Sequence, residues 1–244
     1  MYDSTKQASQ KNVPFRLSDF PPMIEIADQL MGEGVWRRGL RPPNPEFSET
    51  DDWKEDDLIQ VKWPDPDRAG KQWEPPPGGH VEGGNTNKGG WKGGFMMGAI
   101  TCLEDVPHGG GCFYFWPRSH TSIHSFFKAN PQYINPNEYP HPFNKDTETL
   151  DRETPSGYDL QPREWQAKAG DCIIWHHWMM HNGSSNVSDY PRLGLFARWH
   201  HRDWKDMRYD KGGIITDGDL WKYWSDEVRQ VSVELPTAET AAKL

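Results

Sequence analysis

The run Gly-Gly-His-Val-Glu-Gly-Gly, residues 78–84, sets an imidazole and a carboxylate two positions apart. On an extended chain, residues i and i+2 share a face, so His80 and Glu82 would project together from one strand end. The glycines on either side let a bound group approach the backbone. One imidazole and one carboxylate make two adjacent ligands. A distant second histidine would complete the facial set of two His and one carboxylate, which suits Fe(II) and leaves positions open for chemistry. His176, His177 and His181 compete for that place, all in the apolar run that starts at Cys172. On a regular strand His177 and His181 share a face and His176 points the other way. His181 stands last before a turn, where a site at a barrel mouth needs its ligand.

The elements that must position these residues are mostly short. Pro21 and Pro22 open a candidate helix with Ile24, Ile26, Leu30 and Met31 on its apolar face and Gly32 at its end. Leu58 to Trp63 reads as a strand. Phe95 to Leu103, the turn 106–111 and Cys112 to Trp116 read as an antiparallel hairpin. Cys172 to His181 reads as one strand, and Leu193 to Trp199 as another. Leu220, Trp221, Trp224, Val228 and Val231 recur at helical spacing, with Thr216 or Asp217 as cap. Residues 118–165 carry no sustained period and read as an insertion or lid, and the tail 236–244 as frayed. Many short strands joined by polar turns argue for a mainly β barrel or sandwich with a few flanking helices, one domain over 1–244 with its core at about 58–202.

The second half of the chain carries a family likeness. Gly170-Asp171, then His181, Asn186 and Arg192, with 11 residues from His181 to Arg192, resembles the signature of the phytanoyl-CoA dioxygenase-like branch of the Fe(II)/2-oxoglutarate oxygenases. The segment Gly110 to His120 is similar to that family's Asn-Gly-x-hydrophobic-Pro-Gly-Ser-His stretch, and Leu103-Glu104-Asp105 fits the acidic stretch before it. The resemblance implies a double-stranded β-helix, a cupin-like jelly roll with a metal at one mouth. His80, Glu82 and His181 would bind iron. Arg192 would pair with the distal carboxylate of 2-oxoglutarate, a contact that a planar guanidinium suits. Gln60 and Lys62, on the strand before the site, and Arg198, on the strand face of Arg192, are further candidates for the cosubstrate. The chain departs from the family pattern in two places, with Glu82 where Asp is usual and Pro-Arg-Ser-His where Pro-Gly-Ser-His is usual. A carboxylate at position 82 argues against halogenation, so the implied reaction is hydroxylation, desaturation or cyclisation of a small molecule using O2.

Composition excludes other classes. A net charge of −9 without any Lys/Arg run disfavours nucleic acid. No apolar run of about 18 residues would span a membrane. The first residues lack the pattern of a signal peptide, and Cys102, Cys112 and Cys172 read as buried free thiols, so a reducing, cytoplasmic setting is expected. Two rivals share the composition. One is a cupin-like lyase or isomerase that uses no keto acid, and the other a catalytically silent barrel that serves as a binding module.

Overall fold

The computed structural model describes residues 8–10, 16–37, 40–41, 54–55, 57–74, 79, 95–129, 162–203 and 220–234. The chain begins with strand β1 (Ala8–Gln10), a 3-10 turn at Leu17–Asp19 and helix α1 (Pro21–Met31). Pro21 and Pro22 sit in the first turn of α1, where a missing N–H costs nothing. The helix stops at Gly32, whose φ of 101° few other residues adopt. Its buried residues are Met23, Ala27 and Met31, four apart, with Ile24, Ile26 and Leu30 packed partly against the same core. Strands β2 (Trp36–Arg37), β3 (Leu40–Arg41) and β4 (Lys54–Glu55) are two residues each. Asp57 is buried, and its Oδ2 accepts from the Ser18 N–H and hydroxyl at 3.1 and 2.7 Å, which ties the start of the helical layer to the sheet.

The remaining strands are β5 (Leu58–Lys62), β6 (Met97–Cys102), β7 (Phe113–Phe115), β8 (Arg163–Trp165), β9 (Cys172–His176), β10 (His181–Gly183) and β11 (Arg192–His201). Every pairing among the described residues is antiparallel. The large sheet runs β1-β5-β11-β6-β9, with β2 also on β11; the small sheet runs β10-β7-β8. Alternation along β11 divides the large sheet into two faces. On one face Leu195, Ala197 and Trp199 join Met97, Ala99 and Ile174 against Leu17, α1 and Trp224. On the other, Phe196, Ile100 and Trp175 meet Phe113, Phe115 and Trp165 of the small sheet. The chain is therefore mainly β, with antiparallel sheets and few helices.

Several expectations change. β6 and β7 do not form a hairpin, because β6 lies between β11 and β9 while β7 lies between β10 and β8. The connecting segment crosses between sheets, and single bridges tack it down, Val106 to Ala167 and Gly110 to Asn186. The run 172–181 is two strands. β9 ends at His176, a turn closes with Met179 N–H on the His176 carbonyl at 2.8 Å, and β10 starts in the other sheet. Both ends of the stretch read as an insertion belong to the fold, namely helix α2 (Ser119–Ala129) and β8; residues 130–161 lie outside the described residues. The last helix, α3 (Asp226–Glu234), starts later than its expected cap, where the Ser225 hydroxyl accepts from the Val228 N–H. Cys172 is exposed at the start of β9, whereas Cys102 and Cys112 are buried; all are free. Among the described residues no helix is long and apolar enough to cross a membrane. The tail 236–244, expected to be frayed, lies outside the described residues.

Candidate functional site

The strand break at His176 separates the three competing histidines. His176 keeps the helical side of the large sheet. Its ring stacks on Trp224 at 5.0 Å and on His177 at 4.2 Å, and meets His120 at 5.5 Å. Burial, then the charges of His177, His120 and His124, hold its pKa well below the ordinary histidine range. His177 lies in the turn, wholly buried, with both its backbone N–H and its Nδ1 on the Met96 carbonyl at 3.1 Å.

His181 alone turns into the space between the sheets. It stacks on Phe113 at 5.2 Å and lies 5.4 Å from Trp175. Its Nδ1–H donates to the Met179 carbonyl at 2.8 Å. That bond fixes the tautomer and leaves Nε2 as the nitrogen carrying a lone pair, the arrangement usual for metal-ligating histidines.

Arg192, the first residue of β11, enters the same interior. Its guanidinium lies over the Phe196 ring at 5.9 Å, and Phe196 contacts Trp175 at 6.2 Å, so one chain of aromatic contacts joins Arg192 to His181. Arg192 is 4% exposed. Nη2 donates to Gln60 Oε1 at 3.3 Å, Nε has no partner, and no described carboxylate pairs with the charge. A buried guanidinium left this way is costly, and burial lowers its pKa. Lys62 stands directly across from Arg192 in the β5–β11 ladder and Gln60 across from Gly194, so all three candidates share the inner face. Burial first, and then the Arg192 charge, lower the Lys62 pKa against the pull of Asp65. A guanidinium, an ammonium and an amide on one inner face, with no described carboxylate on the guanidinium, could seat an anion, and a carboxylate would match the unused N–H.

Small residues make room for this cluster. A Cβ on Gly194 would stand 2.6 Å from Ile100 Cδ1 and 3.1 Å from Arg192 Nη1. A Cβ on Gly111, which has a φ of 77°, would stand 2.9 Å from Lys62 Cγ. Asn186, fully buried, donates from Nδ2 to the Lys62 and Tyr190 carbonyls at 3.0 and 2.8 Å, while its Oδ1 accepts from Ser188. It closes its own turn and also clamps the end of β5 to the entry of β11.

Arg198 lies over the Phe95 ring at 5.3 Å. It shares the face of Arg192 but stands six residues along the strand, about 20 Å away by strand rise, so the two do not converge on one small ligand. His80 and Glu82 lie outside the described residues. Gly79 is described and buried, and a Cβ there would stand 2.6 Å from Trp116, 2.9 Å from the His181 carbonyl and 2.9 Å from Met180. Among the described residues no three His, Cys, Asp or Glu side chains are grouped to hold a metal ion. Sequence reasoning missed the Met179 carbonyl, Gly194 and the ring of Phe113. Neither a backbone acceptor nor a ring at a strand position leaves a signal that separates site from core.

The family model for phytanoyl-CoA dioxygenase matches residues 80–194. No curated protein matches the chain. Similar solved structures include the non-heme alpha ketoglutarate dependent epimerase SnoN from nogalamycin biosynthesis, at 20% identity, 60% of this chain, 48% of that chain and a TM-score of 0.37. The carbocyclase SnoK from the same biosynthesis shows 18% identity over 59% of this chain and 48% of that one, with a TM-score of 0.39. HygX from Streptomyces hygroscopicus, solved with nickel, 2-oxoglutarate and hygromycin B, shows 12% identity over 76% and 64%, with a TM-score of 0.40. The chain spans about half the length of the first two. Over residues 80–194 the chain is thus similar to the phytanoyl-CoA dioxygenase family.

Proposed function

We propose that the protein is a non-haem Fe(II)- and 2-oxoglutarate-dependent oxygenase built on a double-stranded β-helix, acting on a small organic molecule. The observation that carries this reading is the buried Arg192, facing Lys62 and Gln60 with no described carboxylate of its own. The distal carboxylate of 2-oxoglutarate would supply the missing counter-charge, two oxygens meeting the guanidinium fork. His181 fits a metal, since its Nδ1–H is committed to the Met179 carbonyl. His80 and Glu82 would complete the ligand set, and the packing of Gly79 against the His181 carbonyl supports their assignment to the same site.

When bound, iron with 2-oxoglutarate and dioxygen supplies an oxidation that leaves succinate and carbon dioxide. The chain's own residues bind and orient. Arg192 would hold one end of the cosubstrate, with Gln60 fixing the guanidinium and Lys62 adding positive potential from across the ladder. Phe113, Trp175 and Phe196 wall the space between Arg192 and His181, excluding water and strengthening the charge pairing. Hydroxylation, desaturation and cyclisation would all be served by this layout; the substrate is chosen elsewhere. The test is calorimetric titration of 2-oxoglutarate into anaerobic, Fe(II)-loaded protein. Wild type should bind, and Arg192→Ala should bind about 10²–10³-fold more weakly. Equal affinity in the two proteins would refute the assignment of Arg192.

A further inference from the structure

Ser119 heads helix α2 and is wholly buried. Its hydroxyl oxygen accepts from the Met180 N–H at 2.7 Å and donates to Met179 Sδ at 3.3 Å. The Met180 N–H belongs to the same planar peptide unit as the Met179 carbonyl, and in a trans peptide the two point in opposite directions. One edge of this plane is thus held by Ser119, and the other receives the Nδ1–H of His181 at 2.8 Å. The Met180 carbonyl in turn accepts from Trp116 N–H at 3.0 Å, so the segment 116–119 grips this turn twice. Arg118, between them, has a φ of 63° and is the one non-glycine described residue with positive φ. A left-handed arginine is a strained conformation, retained where the surroundings enforce it. Here it takes the chain from the Trp116 contact into the first turn of α2 and brings Ser119 under Met180.

We infer that Ser119 is a positioning residue for the metal ligand His181, acting through the 179–180 peptide plane; this rests on the proposed iron site. With the plane held, the ring of His181 keeps one tautomer and one direction, and Nε2 is the nitrogen that would meet the metal. Fe(II) alone, titrated anaerobically, is the probe. Ser119→Ala should weaken Fe(II) binding about 10–100-fold. Ser119→Thr, which keeps the hydroxyl, should restore it, and Ser119→Cys, a weak acceptor of similar size, should fall between. The second readout needs no metal. Long-range proton–nitrogen NMR of the metal-free protein should show His181 protonated at Nδ1 in wild type and as a tautomer mixture in Ser119→Ala. If Ser119→Ala does not fold, the Thr and Cys variants carry the same test through their ranking. Wild-type affinity and an unchanged tautomer in Ser119→Ala or Ser119→Cys would overturn the positioning role while leaving the iron site standing. Failure of wild type itself to bind Fe(II) would remove the iron reading and this inference together.

Discussion

The two faces of the large sheet use the same kinds of residue for opposite ends. On the helical face His176 is sealed among Trp221, Trp224, His177 and His120. Opposite the inner face, on the small sheet, His181, five residues later, has Nδ1 tied to a carbonyl and its ring against Phe113 and Trp175. The cations differ likewise. The inner face holds a buried Arg192 and a half-buried Lys62 side by side, whereas the helical core is filled by Met97, Ala99, Ala197 and Trp199. A neutral imidazole tolerates burial among rings. A buried guanidinium with no described carboxylate beside it is costly, and this is the observation on which the proposed 2-oxoglutarate seat rests. Burial alone does not mark a site; burial of charge without a partner does.

The comparison breaks most readily at the histidines. His181→Ala should abolish Fe(II) binding and turnover, while His176→Gln should leave iron affinity within about threefold and instead lower the melting temperature. Iron affinity by anaerobic titration decides between them. If His176→Gln also lost iron, the two faces would not be functionally distinct. Next in size, Glu82→Ala should lose most turnover and Glu82→Asp should retain metal binding, as measured by succinate formation and metal titration; full activity in Glu82→Ala would move the carboxylate elsewhere. Asn186→Ala removes several buried hydrogen bonds at once and should cost about 2–3 kcal/mol, read as a melting temperature lower by about 4–12 °C.

The pH response should come from the helical face. Burial pushes His120 down from 6.5 to about 4, and His176 is also depressed. Both are therefore neutral when folded, whereas the unfolded chain takes up protons below its own pKa of about 6.5. Their stabilising share is complete above that pH and is lost as pH falls toward 4, so the melting temperature should drop across this window. His120→Asn should flatten part of the drop. A melting temperature that stays level from 6.5 to 4 would contradict the buried-neutral assignment. The smallest expected change is at Gly194→Ala, whose Cβ would crowd Ile100 and the Arg192 guanidinium. The KM for 2-oxoglutarate should rise by about tenfold with little change in melting temperature.

Helix α1 was legible because local signals agreed, with two prolines at the start, apolar residues at helical spacing and a glycine at the end. Strands β5, β6 and β11 were legible as apolar runs, but their partners were not. Turn residues show that a chain reverses without showing which sheet it rejoins, hence the false hairpin of β6 and β7. The run 172–181 read as one strand because its apolar character continues through a turn held by backbone bonds. Helix α2 was hidden because His120 and His124 count as polar in sequence yet pack against His176 and Trp178. Arg192 and Gln60, both singled out in the sequence, do meet. The choice among three histidines depended on where β9 ends, which no residue spacing states.

The most direct test of the central claim is optical. Fe(II) and then 2-oxoglutarate are added anaerobically to wild type, His181→Ala and Arg192→Ala. A keto acid chelated to iron gives a weak visible charge-transfer band. The account predicts the band in wild type, its loss in His181→Ala, and its recovery in Arg192→Ala only at about 10²–10³-fold more 2-oxoglutarate. A wild-type protein that binds Fe(II) yet shows no band at saturating 2-oxoglutarate would contradict it.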